Sequence, residues 1–249
     1  MEPNSGAEWD NTPLGLERVK TSGFYEEPDG ESKNGFFAGR HIIGRDTQIN
    51  GGVYVGSGKR EAIVVDDKKY PEELDGVYNQ LITRIQAAGS EYKDSILGDV
   101  YSLVQEVLPF NETGVLTLVQ SVTSSAKGND TKVPLNEFIK SKVGVCRHEA
   151  LLVGYLLERL KKNGIISPKN ISIDRNFIPH RGGHAWVRYE NSEGKIGIID
   201  PAQNFIGSLE DANKLAGWDY NRPSKVPAYQ RFINVLASRL KKSLVCRHF

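Results

Sequence analysis

Three residue types that nucleophilic enzymes use occur along the chain in the order Cys146, His184 and Asp200. Cys146 follows Gly-Val, His184 lies 38 residues later in Gly-His-Ala-Trp, and Asp200 lies a further 16 residues on, directly before a proline. A thiolate can attack an acyl carbon, an imidazole can move the proton, and a carboxylate can hold that imidazole in one tautomer. These residue types therefore indicate thiol-dependent acyl transfer.

The strongest periodicity in the chain begins at Cys146, in the segment CRHEALLVGYLLERLKKNG. Apolar residues recur there at three-to-four spacing: Cys146, Ala150, Val153, Leu157 and Leu160. The pattern predicts a buried helix that begins at Cys146 and is closed by Gly164 in a left-handed cap. The free N–H groups and partial positive charge of a helix N-terminus lower the pKa of a thiol placed there. This position favours Cys146 as a nucleophile.

His184 and Asp200 lie in two segments, GGHAWVRYE and GKIGIIDPA, whose content of Val, Ile, Trp and Tyr predicts β-strands. The connection ENSEGK has the length of a hairpin turn. With the turn centred on Ser192, His184 lies directly opposite Asp200, and a slip of one or two residues keeps them neighbours. Alternation along the strand places His184, Trp186 and Arg188 on one face.

Taken together, these motifs resemble the transglutaminase-like branch of the papain-type cysteine enzymes, over about residues 134–205. VGVCRHEALLVGYLLERL is especially similar to the peptidase-like domain that precedes the kinase in some plant signalling proteins, where Gly-x-Cys-Arg-His also opens the helix. The resemblance implies an α+β fold with a Cys-bearing central helix packed on an antiparallel sheet, and the upstream helices would add an N-terminal layer. It makes Cys146 the nucleophile, His184 the general base and acid, and Asp200 the residue that orients the imidazole.

The implied reaction is a two-step acyl transfer on a protein or peptide amide, through a thioester and without a cofactor. Water as the acceptor gives hydrolysis by a protease or a glutamine deamidase, which is the expected outcome, whereas an amine as the acceptor gives a transglutaminase. The Cys–His–Asp spacing is also similar to that of bacterial toxin deamidases in the same superfamily. A non-catalytic peptidase-like module that serves regulation is a second class of function, although all three triad residues are present here.

The residues that would contact the substrate or the oxyanion are less sharply defined by the sequence. The backbone N–H of Cys146 is one expected oxyanion donor. The candidates for a second donor are Gln105, Gln120 and Tyr101. The candidates for substrate contact, each with a structural role as the alternative, are Trp186, Arg147 and His148.

A zinc site is the main rival within enzyme chemistry, because four soft or borderline ligands occur at short spacings: Cys146, His148, His180 and His184. The residues Pro179, Gly182 and Gly183 disfavour a helix that would put the two later histidines on one face. We therefore expect no metal. The GSGK sequence at 56–59 lacks one glycine and the hydroxyl residue of a phosphate-binding loop, and it predicts a glycine turn.

The composition of the 249 residues excludes several classes of function. A formal net charge of +1 provides no bulk field for nucleic acid, and no apolar run approaches the roughly 18–20 residues that span a bilayer. The first residues lack the basic and apolar pattern of a signal peptide. With only Cys146 and Cys246, a disulfide framework is excluded, and we expect a cytoplasmic protein or one delivered to a cytosol without a standard signal peptide.

Three segments are predicted along the chain. Residues 1–36 are polar, without a helical or alternating period, and are expected to form a flexible arm. Residues 37–133 are expected to form a hairpin and a helical layer, and residues 134–249 the catalytic core. The core is expected to end in a basic amphipathic helix, at about 229–244, that docks on it, with an acidic partner or a membrane surface as the alternative.

Overall fold

The computed structural model describes residues 8–10, 12–28, 32–56, 60–88, 96–123, 132–215 and 217–223. This part of the chain is a mixed α+β protein, as the sequence predicts, with seven α-helices and three β-sheets. The helices are α1 (Thr12–Lys20), α2 (Pro71–Ala87), α3 (Ile96–Val107), α4 (Glu112–Thr123), α5 (Leu135–Ser141), α6 (Cys146–Lys162) and α7 (Leu209–Leu215). The strands are β1 (Glu8–Trp9), β2 (Tyr25–Glu26), β3 (Phe36–Phe37), β4 (Arg40–His41), β5 (Gly52–Val55), β6 (Ala62–Val65), β7 (Lys132–Pro134), β8 (Asn170–Ile178), β9 (Gly182–Glu190), β10 (Ile196–Asp200) and β11 (Phe205–Ser208).

Some features singled out in the sequence lie outside the described residues. These are most of the GSGK turn, the basic segment at about 229–244, and Cys246. In the part of the chain that is described, none of the helices has both the length and the apolar character needed to cross a bilayer.

The helix that begins at Cys146 lies at the centre of the core. α6 extends to Lys162, as its periodicity predicts, and Gly164 follows in the left-handed region with φ 71°. Every side chain from His148 to Leu157 is buried. The reason is that α6 packs on β8, β9 and β10 and also contacts α3 and α5. A helix enclosed in this way holds its first residue in a fixed position.

The helices upstream of α6 lie close to the positions that their apolar spacing predicts. The helix expected after Pro71 is α2, the one expected at about 92–107 is α3, and the one expected at about 115–124 is α4. α2 packs on α3 and α5, and α3 packs on α6 and β10. These helices bury the side of α6 that the sheet leaves uncovered.

The largest sheet carries His184 and Asp200. Its strand order is β1-β8-β9-β10-β11, with antiparallel pairs throughout. Ala185 and Val187 join the apolar core around α6, whereas Trp186 belongs to an aromatic cluster on the other face. The ring of His184 is stacked with that of Trp186, with centroids 5.8 Å apart. The predicted alternation along β9 is therefore confirmed.

The β9–β10 hairpin is displaced by two residues from the predicted register. Its pairs centre the turn on Glu193 rather than Ser192, so Asp200 lies diagonally across from His184 instead of directly opposite it. The side chain of Asn191 accepts hydrogen bonds from two backbone N–H groups of the turn, at 3.0 and 2.9 Å, and stabilises this arrangement. Because strand side chains alternate with period two, a displacement of two keeps both residues on the same face. They remain neighbours.

Two smaller sheets lie upstream of α6. The hairpin predicted near residues 53–65 is formed by β5 and β6, and β7 extends that sheet in parallel with β6. The strands β2, β3 and β4 form the third sheet. The β5–β6 connection is relevant to the site, because Arg60 and Glu61 at its end face the start of α6.

The first 36 residues differ from the flexible arm that their composition predicts. In the described part, β1 extends the edge of the largest sheet and α1 packs on β5. Gly15 permits this approach, since an added Cβ would lie 2.6 Å from the carbonyl oxygen of Val55. Arg175, only 3% exposed, donates from Nε to Thr12 Oγ1 (2.9 Å) and from Nη1 to Val55 O (3.0 Å). Polar contacts of this kind leave no periodic signal in a sequence.

Candidate active site

Cys146 is the first residue of α6 and lines a cleft of about 270 Å³. Val145 before it is extended, with φ −139° and ψ 176°, so the chain turns into the helix at Cys146 itself. The first N–H groups of a helix have no partner within it and leave partial positive charge there. The cleft is completed by His184 and Ala185 of β9 and by Trp218. Cys146 as a whole residue is half-buried in this cleft.

His184 and Asp200 form a buried pair beside the thiol. His184 Nε2 lies 2.6 Å from Asp200 Oδ2, His184 is 7% exposed, and Asp200 is fully buried. With Nε2 turned toward the carboxylate, Nδ1 is the ring nitrogen left to meet Cys146, to which the imidazole also hydrogen-bonds. Burial alone lowers the pKa of His184, but the hydrogen bonds to Asp200 and Cys146 raise that pKa to about 10.

The pKa of the Cys146 thiol moves in the opposite direction. Burial raises this pKa, but the hydrogen bond and charge of His184, the charge of Arg147 and the backbone N–H of Ala185 lower it, and the net effect is a lowered pKa. A lowered thiol pKa beside a raised imidazole pKa favours a thiolate–imidazolium pair. The three residues predicted from the sequence are thus brought together in the order of contact that a triad requires.

Two further groups hold the carboxylate of Asp200. Tyr220 donates from Oη to Oδ2 (2.7 Å), and the backbone N–H of Gln203 donates to Oδ1 (3.2 Å). Pro201 ends β10 and opens a short 3₁₀ turn, which brings Gln203 back to the carboxylate. Burial and the charge of Asp200 raise the pKa of Tyr220, so this phenol donates a hydrogen bond instead of ionising. Asp200 is therefore oriented from both oxygens.

An aromatic cluster backs the His184–Asp200 pair on the sheet face away from α6. Trp186 is fully buried in it, 5.1 Å from Tyr220 in an edge-on arrangement, and does not line the cleft. The expected substrate contact of Trp186 is therefore wrong, because its ring is buried against the rings of His184 and Tyr220. Trp218 lines the cleft instead, with its ring 4.8 Å from that of His184 and its Nε1 donating to Asn176 Oδ1 (2.8 Å).

Trp218 and Tyr220 could not be identified from the sequence. Their only signal is a pair of aromatic residues in an otherwise polar stretch, Gly-Trp-Asp-Tyr-Asn-Arg-Pro. Asn176 fixes this stretch, since its amide nitrogen donates to the carbonyl oxygen of Asp219 (2.9 Å). Such contacts join residues about forty positions apart and have no local pattern.

Arg147 and His148, both candidates for substrate contact, have different environments in the structure. His148 is fully buried, accepts a hydrogen bond on Nδ1 from the N–H of Val145 (3.2 Å), and has Nε2 3.2 Å from Glu61 Oε1. Substrate contact by His148 is therefore excluded. Arg147 lines the cleft and also donates from Nε (2.8 Å) and Nη2 (2.5 Å) to Glu61. Its substrate contact therefore stays a prediction.

Glu61 ties the first turn of α6 to β6. Burial raises the pKa of Glu61, but its hydrogen bond to His148 and the charge of Arg147 lower that pKa to about 2. Burial lowers the pKa of His148 to about 4, despite the nearby carboxylate, so the imidazole is neutral near pH 7. No motif or periodicity in the sequence singles out Glu61.

We expect Glu61→Gln to lower the free energy of unfolding by about 2–4 kcal/mol at pH 7, because it leaves the guanidinium of Arg147 without its buried charge partner. Urea unfolding measures this change. A matched control is Glu106→Gln, which breaks an exposed bidentate pair with Arg84 and should cost under about 1 kcal/mol. Equal costs for the two variants would show that Glu61 does not anchor α6.

None of the three side chains proposed as second oxyanion donors lines the cleft. Gln120 lies on the exposed face of α4. Gln105 donates from Nε2 to Asn204 Oδ1 (2.8 Å), and Tyr101 is hydrogen-bonded to Gln105. Those expectations are therefore wrong, because all three side chains lie away from the cleft.

Gln203 is the amide side chain that does line the cleft. It is exposed, and its backbone N–H is fixed on Asp200. The N–H of Cys146, at the first helical position, has no intrahelical partner and retains the expected role as an oxyanion donor. A substrate amide between these two groups would have a donor on each side.

Glu149, one turn beyond Cys146 on α6, is a carboxyl group that the triad does not use. It is 1% exposed, and its Oε2 has no hydrogen-bond partner among the described residues. Burial and the negative charge of Asp200 raise the pKa of Glu149 to about 8, although His184 opposes the shift. At neutral pH, Glu149 is mostly protonated and adds little charge beside Asp200.

This raised pKa makes a pH-dependent contribution to stability. A carboxyl with a folded pKa of about 8 and an ordinary unfolded pKa contributes stability below about pH 4.5 that is lost as the pH rises through 8. We expect the free energy of unfolding of Glu149→Gln, relative to that of the wild type, to rise by about 2 kcal/mol between pH 6 and pH 9. Urea unfolding at the two pH values measures this change. The exposed control Glu72→Gln should follow the wild type at both values. A Glu149→Gln curve parallel to the wild type would contradict the buried neutral carboxyl.

The residues considered as zinc ligands do not converge. His148 is buried against Glu61, whereas His180 is exposed in the β8–β9 turn with φ 67°. Cys146 and His184 contact each other within the cleft. Across the described ranges, no three His, Cys, Asp or Glu side chains form a group able to hold a metal ion.

The chain was compared with protein-family models, with curated proteins and with solved structures, and none of these comparisons gives a match. The resemblance to the transglutaminase-like enzymes therefore stays a prediction that rests on the motifs around Cys146, His184 and Asp200. The α+β class and the geometry of the site rest on the structure alone.

Proposed function

We propose that this protein is a thiol-dependent acyl-transfer enzyme that acts on protein or peptide amides by hydrolysis, as a protease or a glutamine deamidase. The observation that carries the proposal is the contact chain from Cys146 through His184 to Asp200. Its firmest link is the 2.6 Å distance between His184 Nε2 and Asp200 Oδ2, inside the protein. A buried carboxylate that orients an imidazole toward a helix-terminal thiol has a direct use in nucleophilic catalysis.

The arrangement of elements supports a place in the transglutaminase-like branch of the papain-type enzymes. The nucleophile begins a buried central helix, and the base and the orienting acid lie on adjacent antiparallel strands packed against that helix. The same arrangement could host a non-catalytic module, since fold alone does not determine function. The lowered pKa of Cys146 and the raised pKa of His184 favour the enzyme, because a structural thiol needs neither.

The proposed reaction proceeds in two steps. The Cys146 thiolate attacks the amide carbon, and a C–S bond forms as electrons move to the carbonyl oxygen. The N–H of Cys146 and the Gln203 amide stabilise this oxyanion, and His184 transfers its Nδ1 proton to the leaving nitrogen as the C–N bond breaks. Water then adds to the thioester with its proton passing to His184, and the C–S bond breaks to release the acid and restore the thiolate.

The experiment incubates the protein with glutamine-containing peptides, with and without cadaverine, and follows intact masses. A gain of about 1 Da identifies deamidation, cleavage identifies a protease, and a cadaverine adduct identifies a transglutaminase. We expect a hydrolytic product that is absent with Cys146→Ser. Identical peptide masses for the wild type and Cys146→Ser would overturn the proposed function in favour of the non-catalytic module, and a dominant adduct would replace hydrolysis by amine transfer.

A further inference from the structure

The charged side chains around the candidate cleft are unequal in sign. Three arginines line it, Arg60, Arg147 and Arg181, against one carboxylate, Glu112. The whole chain carries a formal charge of only +1, so this excess is local. A substrate that enters the cleft meets a more positive surface than the protein presents on average.

The three arginines differ in whether a carboxylate neutralises their charge. Arg147 is compensated by Glu61, which lies behind the cleft. Arg181 donates from Nη2 to the carbonyl oxygen of Gly217 (2.7 Å), and its guanidinium lies 4.6 Å from the ring of Trp218. A carbonyl and an indole position a guanidinium without cancelling its charge.

Arg60 adds a second exposed positive charge at the cleft. Its stem packs on the backbone at Gly56, where an added Cβ would lie 3.1 Å from the Cβ of Arg60. Within the described ranges, neither Arg60 nor Arg181 has a carboxylate within 4.0 Å. Both guanidinium groups are therefore open to a carboxylate that comes from outside.

The reacting groups do not reverse this field. The Cys146 thiolate, the His184 imidazolium and the Asp200 carboxylate together carry one net negative charge, but the Asp200 carboxylate is fully buried, whereas Arg60 and Arg181 are exposed. The formal charges that an incoming segment meets at the cleft surface are those of the arginines and of Glu112.

We propose that the cleft selects acidic peptide segments, in which an Asp or Glu carboxylate lies close to the amide that Cys146 attacks and pairs with Arg60 and Arg181. This inference rests on the proposed function and adds the substrate class to it. A planar guanidinium suits a carboxylate, since two parallel N–H groups can donate to its two oxygens. Arg181 is the better organised of the two, because Trp218 and Gly217 hold it in place.

The size of the effect follows from the charges. A unit charge about 7 Å from another in a water-exposed cleft changes a rate or a binding constant about threefold, so two arginines together give about tenfold. Salt should weaken the effect, because exposed charges are screened within about a Debye length.

The test uses iodoacetate and iodoacetamide, which deliver nearly the same group to a thiol but differ by one negative charge. The quantity measured is the ratio of their rates at Cys146, read by mass spectrometry at low salt and compared with the ratio for N-acetylcysteine. The ratio removes changes in the thiolate fraction, which affect both reagents alike. We expect Arg60→Gln combined with Arg181→Gln to lower the ratio about tenfold. The control, Lys33→Gln combined with Lys161→Gln, removes two exposed charges outside the cleft and should stay within about twofold of the wild type.

A second arm compares peptides that carry Glu, Gln or Lys beside the target amide. We expect the Glu peptide to react fastest with the wild type and to lose that advantage in the double arginine variant. Equal ratios in the two double variants, with Cys146 still more reactive than N-acetylcysteine, would overturn the acidic preference and leave the proposed function standing. A Cys146 no more reactive than N-acetylcysteine toward either reagent would overturn the proposed function itself, and the preference with it.

Discussion

His184→Ala should slow the alkylation of Cys146 by iodoacetamide at pH 6 by about tenfold or more. His184 supplies both the hydrogen bond and the positive charge that lower the pKa of the thiol, while burial acts in the other direction. Each unit by which the thiol pKa rises removes about nine-tenths of the thiolate present at pH 6. The expected loss is smaller than the change in thiolate fraction, because a thiolate of higher pKa is intrinsically the better nucleophile.

Two comparisons make this prediction specific. His41→Ala removes another partly buried imidazole, one bound to the carbonyl oxygen of Gln48, and should leave the rate at Cys146 unchanged. Cys246 gives a second thiol in the same molecule, and we expect it to react far more slowly than Cys146 in the wild type. Peptide mapping separates the two rates. Similar rates at Cys146 in the wild type and in His184→Ala would contradict an activated nucleophile.

Asp200→Asn should reduce peptide turnover by about 100-fold or more while the protein remains folded. Asparagine lacks the negative charge, and its NH2 group cannot accept a hydrogen bond, so it cannot satisfy His184 and Tyr220 on one side and the N–H of Gln203 on the other. The imidazole then loses both its orientation and the partner that stabilises its protonated form. Tyr220→Phe removes only one of these hydrogen bonds and should cost turnover about tenfold or less.

Asp200→Asn should also change how the stability of the protein depends on pH. The folded pKa of His184, about 10, lies above its unfolded value, so the pairing contributes stability that is fully present below about pH 6.5 and is lost as the pH rises through 10. Asp200→Asn should therefore lower the free energy of unfolding by about 2–4 kcal/mol at pH 6 and by clearly less at pH 10. Urea unfolding at the two pH values measures both costs. A cost that is independent of pH would mean that His184 is not protonated beside Asp200.

Local periodicity was enough to predict most of the helical elements, and the motifs around Cys146, His184 and Asp200 were enough to predict that these three residues lie together. α6 begins and ends where the apolar spacing and Gly164 indicate, because a helix enclosed on all sides must be apolar almost throughout. The Cys146, His184 and Asp200 motifs each belong to one element, so their placement needs only the order of helix and strands. The predicted hairpin register was wrong by two residues, but a shift of two leaves His184 and Asp200 on the same face of the sheet.

The contacts that complete the site were not predictable in the same way. Tyr220 reaches Asp200 from the segment that follows α7, and Glu61 reaches Arg147 from the position just before β6. A single hydrogen bond between distant residues leaves no pattern in either segment. The contact of Arg175 with Thr12, which helps to order α1, is of the same kind.

The errors among the expected substrate residues have one physical origin. Trp186 and His148 lie next to the catalytic motifs in sequence, but alternation along β9 and rotation around α6 turn both side chains into the interior. Proximity to the motifs in sequence therefore does not place a side chain in the cleft. Other residues that line the cleft, such as Arg181, Gln203 and Trp218, come from turns and irregular segments outside the α-helices and strands, where sequence patterns are weakest.

We propose that Cys146 is a thiolate held by the protonated imidazole of His184. The most direct measurement is the ultraviolet absorbance of the thiolate as a function of pH, taken as the difference between the wild type and Cys146→Ser. We predict an ionisation midpoint clearly below the ordinary value of about 8.5 for a free cysteine, and its return toward that value in His184→Ala. A wild-type midpoint at or above about 8.5 would contradict the account, because Cys146 would then be a buried neutral thiol.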